Sequence, residues 1–216
     1  MTCAAKICGL STPETIETAI ENGASHIGFI FFEKSPRHVT PEQAGKLMQG
    51  LEGAKTVAVS VNADEPFLDA IVEAMNPAML QLHGAETPQH VKDVQARYQV
   101  PVIKALAIRE AGDLERVRSY DGVADILLLD AKPPAGSDLP GGNGVSFDWS
   151  LMEQFQTKTP VWLSGGINEA NVDDALDLVR SASNSLTGID VSSGVESAPG
   201  VKDPAKIKAV LAATRR

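Results

Sequence analysis

The sequence predicts an α/β fold, a single-domain (β/α)8 barrel over residues 1–216, and three observations predict it. Eight short apolar runs recur from one end of the chain to the other. The segments between them carry helix-start signals and helical apolar spacing. The turn after the first run lacks the G-x-G-x-x-G glycines that an open doubly wound sheet would want there.

The runs are AAKIC (4–8), HIGFIFF (26–32), TVAVSV (56–61), MLQLH (79–83), VIKALAI (102–108), DILLLD (125–130), VWLSGG (161–166) and LTGIDVSS (186–193). Most are nearly continuous in aliphatic and β-branched residues, as strands buried on both faces are. The intervening helices announce themselves by cap and proline. Ser11-Thr12-Pro13-Glu14 precedes Ile16, Ala19 and Ile20, and Thr40-Pro41-Glu42 precedes Leu47. Thr87-Pro88 precedes Val91 and Val94, and Asp203-Pro204 opens a last helix with Ile207, Val210 and Leu211 on one face. An N-cap oxygen satisfies an orphan amide, and proline at the entry gives up a hydrogen bond that the first turn does not make. Strand–helix alternation implies parallel strands joined by right-handed crossovers. Eight such units close a barrel of the TIM type with no edge strand. No linker or low-complexity tract divides the chain, and barrels of this length are commonly one domain.

Acidic residues outnumber basic ones, 28 to 19, for a formal charge of −9. That balance argues against nucleic acid, whose phosphate backbone calls for clustered Lys and Arg. It leaves room for a small anion, because backbone N–H groups bind anions without formal charge. No run approaches the roughly 18 apolar residues of a membrane span. The N-terminal residues MTCAAKICGL do not read as a signal peptide, so Cys3 and Cys8 are expected to be free thiols in a cytoplasmic protein.

In such a barrel, chemistry sits where strands end and loops to helices begin. Strand 1 puts Cys8 there, a group that accepts a proton once it is a thiolate; the alternative is a small buried hydrophobe. Ser35-Pro36-Arg37 follows strand 2, and a stiffened loop presents a guanidinium able to grip a carboxylate through two parallel bonds, unless Arg37 is simply solvated. His83 ends strand 4 and reads as a hydrogen-bonded or supporting histidine. No histidine spacing resembles a metal site. Asp130 ends strand 6, where a carboxylate after an apolar run is costly unless paired or used. The long loop that follows, with Gly141, Gly142 and Gly144, reads as a lid or as backbone closing on a ligand. Gly165-Gly166 after strand 7 and Ser192-Ser193-Gly194 after strand 8 lie where barrels commonly hold phosphate. Lys6 and Cys8 share a strand face, as do Asp190 and Ser192. Strands 1 and 8 become neighbours on closure, so Lys6 and Asp190 are predicted to pair inside the barrel.

With these pieces assembled, the chain resembles the phosphoribosylanthranilate isomerase family. The resemblance rests on KICG (6–9), SPR (35–37), QLHG (81–84), LLLD (127–130), GG-x-G followed by FDW (141–149), LSGGI (163–167) and DVSSGVE (190–196), in this order. It implies an Amadori rearrangement of a phosphorylated aminoaldose to the aminoketose, with no metal or coenzyme. It implies Cys8 as general base and Asp130 as general acid. It also puts Arg37 on the anthranilate carboxylate, His83, Gly142 and Gly144 on the substrate, and Gly165, Gly166, Ser192, Ser193 and Gly194 on the phosphate. The expected partner is that small molecule alone, bound by a monomer or homodimer. Asn143 departs from the family, which more usually has Thr or Ser there. Histidine-pathway barrels resemble this one too, but carry an aspartate where Cys8 stands. Ribulose-phosphate epimerases need metal-ligating histidines that are missing here. A silent phosphate-binding barrel would have no use for Cys8 and Asp130.

Overall fold

A computed structural model describes residues 3–132, 139–142, 144, 146–181 and 185–216. Strands β1 (Ala4–Cys8), β2 (His26–Phe31), β3 (Lys55–Ser60), β4 (Met79–Leu82), β5 (Val102–Ile108), β6 (Ile126–Ala131), β7 (Val161–Leu163) and β8 (Leu186–Val191) form one closed barrel in sequence order. Every neighbouring pair is parallel, and β8 returns to β1 with Lys6 opposite Asp190. Around it lie helices α1 (Pro13–Glu21), α2 (Pro41–Leu47), α3 (Glu65–Met75), α4 (Pro88–Tyr98), α5 (Asp113–Arg118), α6 (Val172–Ser181) and α7 (Pro204–Ala213).

The caps read from sequence form. Thr12, Thr40, Thr87 and Asp203 each accept a backbone N–H of their helix, and Thr40 completes a capping box with Gln43. Each such cap contributes about 1 kcal/mol. Asp64 caps α3 in the same way, accepting from Phe67 N at 3.0 Å.

Strand–helix alternation breaks once. Among the described residues, the connection from β6 to β7 holds a 3-10 helix, Trp149–Gln154, and no α-helix. Its approach is rich in proline and glycine, and Asp148 caps the turn through Ser150 N. Strand β7 is also shorter than the run 161–166. Ser164 N still donates to Leu129 O, but Gly165 and Gly166 then take φ of +86° and +71°, which ends the strand. Beyond β8 the chain makes a 3-10 turn, Ser193–Val195, and an unforeseen hairpin of β9 (Glu196–Ala198) and β10 (Val201–Lys202). Gly200 turns this hairpin at φ +83°, so close to Pro36 that a Cβ would lie 2.4 Å from its carbonyl oxygen. The hairpin is thereby packed against the β2 loop.

Alternate strand residues face opposite sides, and the core divides accordingly. The larger apolar cluster, with Ile7, Phe29, Leu80 and Leu129, lies between strands and helices. A smaller one, with Val57, Val59, Met79, Ile103, Leu128 and Trp162, fills the barrel beside Cys8. Lys6, Gln81 and Lys104 are fully buried. Lys6 Nζ meets Asp190 Oδ1 at 2.8 Å, the predicted pair, and Lys104 Nζ meets Glu86 Oε2 at 2.8 Å.

His26 begins β2, its ring 4.7 Å from that of Trp162 in an edge-on contact. Burial, then Lys55 and Lys6, lowers its pKa from 6.5 to about 4. Between those values the unfolded chain binds a proton that the folded chain refuses, so stability falls as pH drops from 6.5 towards 4. Urea unfolding at pH 7, 5.5 and 4 is expected to show a loss of up to about 3 kcal/mol, and His26→Gln should flatten that slope. An unchanged slope in the variant assigns the acid sensitivity elsewhere.

Candidate active site

A cavity of about 740 Å³ opens at the C-terminal ends of the strands. Cys8, Arg37, His83, Asp130, Gly142, Gly144, Gly165, Gly166, Ser192 and Ser193 all line it. Elements far apart in sequence thus converge on one volume.

Cys8 ends β1 and is 4% exposed. Its backbone is tied to the phosphate side, because Ser192 Oγ donates to Cys8 O at 3.1 Å. Burial pushes the thiol pKa up and Asp190 adds to this, while Lys6 and Lys202 pull it down without cancelling the rise.

Asp130 lies within β6, buried, with Oδ1 accepting from Ala131 N at 2.9 Å. Its other oxygen is 3.4 Å from His83 Nε2. On the far side of that ring, Gln81 Nε2 lies 3.0 Å from Nδ1. With the amide donating to Nδ1, Nε2 is the ring nitrogen left to donate towards Asp130. The loop carrying His83 is held by the buried Glu86, which accepts from Gly84 N, Asn62 N and Lys104 Nζ. His83 thus acts on Asp130 while also lining the cavity.

Arg37 differs from its expected form. It is 4% exposed, and its parallel pair of bonds goes to the chain's own Glu196, from Nε at 2.6 Å and Nη2 at 2.8 Å. Nη2 also donates to Gly142 O at 3.2 Å. Among the described residues the Nη1 end of the fork makes no further bond. Sequence reasoning quoted Glu196 within DVSSGVE without giving it a task, and passed over Lys202. Lys202 Nζ donates to Glu196 Oε1 and Ser192 O, both at 2.8 Å. Burial works against the Glu196 charge, but Arg37 and Lys202 outweigh it and hold the carboxyl below its usual range. The one signal in the sequence was charge type: an acid and a base six residues apart, flanking a hairpin turn.

On the phosphate side, Gly165, Gly166, Ser192 and Ser193 face the cavity. Among the described residues no acceptor meets the amides of Gly165 and Gly166. Gly194 does not line the cavity. It packs backbone to backbone on Ile167, where any Cβ would overlap the carbonyl oxygen, which calls for glycine at this position. Gly142 and Gly144 hold φ of +70° and +71°. Gly141, which sequence reasoning left unassigned, covers the acid: a Cβ there would lie 2.3 Å from Asp130 Oδ2 and 2.7 Å from His83 Nε2. Asn143 lies outside the described residues.

Fold and site together define a (β/α)8-barrel enzyme with a thiol and a carboxyl at one mouth and donors for an anion. A family model described as N-(5′-phosphoribosyl)anthranilate (PRA) isomerase matches residues 5–213, and the chain belongs to that family. It is 57% identical over 203 residues to N-(5′-phosphoribosyl)anthranilate isomerase of Rhizobium rhizogenes, covering 94% of this chain and 89% of the relative. It is 55% identical over 212 residues to that of Rhizobium meliloti, covering 98% and 96%. The crystal structure of phosphoribosyl anthranilate isomerase from Thermotoga maritima is 34% identical with a TM-score of 0.86, covering 99% and 98%. A crystal structure of such an isomerase in complex with reduced 1-(o-carboxyphenylamino)-1-deoxyribulose 5-phosphate is 33% identical with a TM-score of 0.81, again covering 99% and 98%. Among the described residues no helix is long and apolar enough to cross a membrane.

Gly141 has no positive φ, so alanine is permitted by the backbone and resisted by the Asp130 carboxyl and the His83 ring beneath it. Gly141→Ala is expected to lower kcat about tenfold or more while the melting temperature moves little. Steady-state kinetics beside a thermal melt checks this, and unaltered kcat would mean that the loop does not rest on Asp130 during turnover.

Proposed function

We propose that residues 1–216 act as one catalytic domain that converts N-(5′-phosphoribosyl)anthranilate to 1-(2-carboxyphenylamino)-1-deoxyribulose 5-phosphate, an Amadori rearrangement in tryptophan biosynthesis. One observation carries the reading: a thiol from β1, a carboxyl from β6 and the Arg37 guanidinium face a single cavity in a member of the family named for this isomerisation.

The chemistry assigns the parts. Asp130 delivers a proton to the furanose ring oxygen, and the C1′–O bond opens to an iminium. Hydrogen on C2′ is acidified by that iminium, and the Cys8 thiolate removes it. The C–H electron pair forms the C1′–C2′ double bond, the iminium electrons return to nitrogen, and the enolamine becomes the ketone. The iminium is its own electron sink, so the reaction calls for neither metal nor coenzyme. His83 steadies Asp130 as its charge appears. Gly165, Gly166, Ser192 and Ser193 take the phosphate, and Arg37 with Gly142 and Gly144 takes the carboxyphenyl end. Placed proton transfers contribute about 10²–10⁴-fold each, and anchoring both ends of the substrate lowers the entropy cost of reaching that geometry.

The test is fluorescence loss as phosphoribosylanthranilate is consumed, with no metal or coenzyme added. Cys8→Ala and Asp130→Asn should each lose about 10²–10⁴-fold in kcat with KM little changed. Near-normal turnover of either variant removes it from the mechanism. Arg37→Ala should chiefly raise KM and, because Glu196 loses a buried partner, also lower the melting temperature. A kcat defect at unchanged KM would contradict its role as a binder.

A further inference from the structure

Burial leaves Cys8 poorly suited to be a base, and the structure carries an answer within one strand turn. Lys6 and Cys8 lie on the same face of β1, and the positive charge of Lys6 pulls the thiol pKa down against its burial. On β2 the residue opposite Cys8 is Gly28. A Cβ at Gly28 would lie 3.0 Å from Cys8 Sγ, 3.0 Å from Lys6 Cε and 3.2 Å from Lys6 Nζ. The missing side chain makes the notch in which lysine and thiol lie side by side. From β8, Asp190 holds the same ammonium at 2.8 Å, and Ser164 Oγ donates to its other oxygen at 3.4 Å. Lys6 has no exposure at all. Burial by itself would lower its pKa, yet Asp190 and Cys8 more than offset this and hold the lysine charged. The charged groups facing the sulfur are thus Lys6 on β1, Asp190 on β8 and Lys202 on β10.

We propose that Lys6 is the positioning residue that makes Cys8 a usable base, its ammonium pairing with the thiolate while Asp190 clamps it from the other side. This rests on the reading of Cys8 as the base. The thiol proton leaves to water, the anion forms against a cation already in place, and sulfur then takes the C2′ proton as the S–H bond forms. Afterwards Lys6 is left paired with Asp190 alone. Two anions thereby compete for one ammonium: removing the lysine disfavours the thiolate, and removing the aspartate favours it.

The experiment measures the pH midpoint of Cys8 alkylation by iodoacetamide. It uses a Cys3→Ser background, since Cys3 is the other free thiol and lies at the far end of β1. Lys6→Met should raise the midpoint by about one pH unit or more, and Asp190→Asn should lower it. At neutral pH, Lys6→Met should lose about tenfold in kcat for each unit of that shift, with KM steady and part of the activity regained at higher pH. Shifts in opposite directions are a signature that a merely structural lysine cannot produce. An unmoved midpoint, or a fall in melting temperature with both midpoints displaced the same way, overturns the proposal. If Lys6→Met does not fold, Asp190→Asn decides alone: a lowered midpoint supports the pairing and any other result overturns it. Full turnover by Cys8→Ala would sink the reading of the reaction, while the alkylation midpoint would still report on Lys6.

Discussion

A closed barrel has a dry interior, and a charge placed inside it must find its opposite there. The Lys6–Asp190 pair is where this constraint and the fold meet. Its two residues stand opposite each other across the seam that joins first strand to last. Closure of the sheet brings these residues, 184 positions apart, to 2.8 Å. Breaking one member of such a buried pair typically costs about 3–5 kcal/mol, because the survivor is left charged and unpaired. The pair therefore specifies closure as well as resulting from it. The same rule governs two further buried pairs: Lys104 with Glu86 ties the loop after β4 to β5, and Lys202 with Glu196 cross-links the β9–β10 hairpin, from which Lys202 also reaches Ser192 O. Buried charge here fixes the loops that shape the cavity, and apolar packing fills the space between them.

Glycine does the complementary work. At Gly28 the lack of a side chain leaves room for Lys6 and Cys8 side by side, and at Gly141 it lets the loop lie on the acid. At Gly165 and Gly166 it lets the chain turn with positive φ and present its amides to the cavity. An acidic protein can in this way offer an anion site without a surface lysine at its centre, since the donors are backbone dipoles.

Strand order, caps and the places of Cys8, Asp130 and the strand 7 and 8 glycines were legible because each has a local cause. A periodic apolar run, a threonine before proline, or a polar residue at a strand end can be read within a few positions. What escaped has a long-range cause or a weak local one. Arg37 gave no hint of Glu196, which lies 159 residues away in the chain. Lys202 stands beside the cap Asp203, and the helix start drew the eye past it. The Asp64 cap was missed because its proline is one residue late, at Pro66. The connection after β6 reads in sequence as a long glycine-rich loop, and its described part adds a 3-10 turn capped by Asp148. Gly194 looked like its neighbours until the approach of Ile167 gave it a separate reason to be glycine.

The Arg37–Glu196 contact changes how recognition at that end is to be understood. A free guanidinium would cling to any anion, and its long side chain would surrender rotamer freedom on binding. Here that ordering is completed in folding, by two bonds to Glu196 and one to Gly142. One carboxylate faces two cations, Arg37 and Lys202, so the cluster keeps a net positive charge with the guanidinium fixed in direction. Arg37 Nη2 is tied to Gly142 O, and the preceding residue, Gly141, lies over Asp130 and His83. One loop segment therefore joins the guanidinium to the cover of the acid, and on the proposed function a carboxylate held by Arg37 would act on the same segment that covers Asp130.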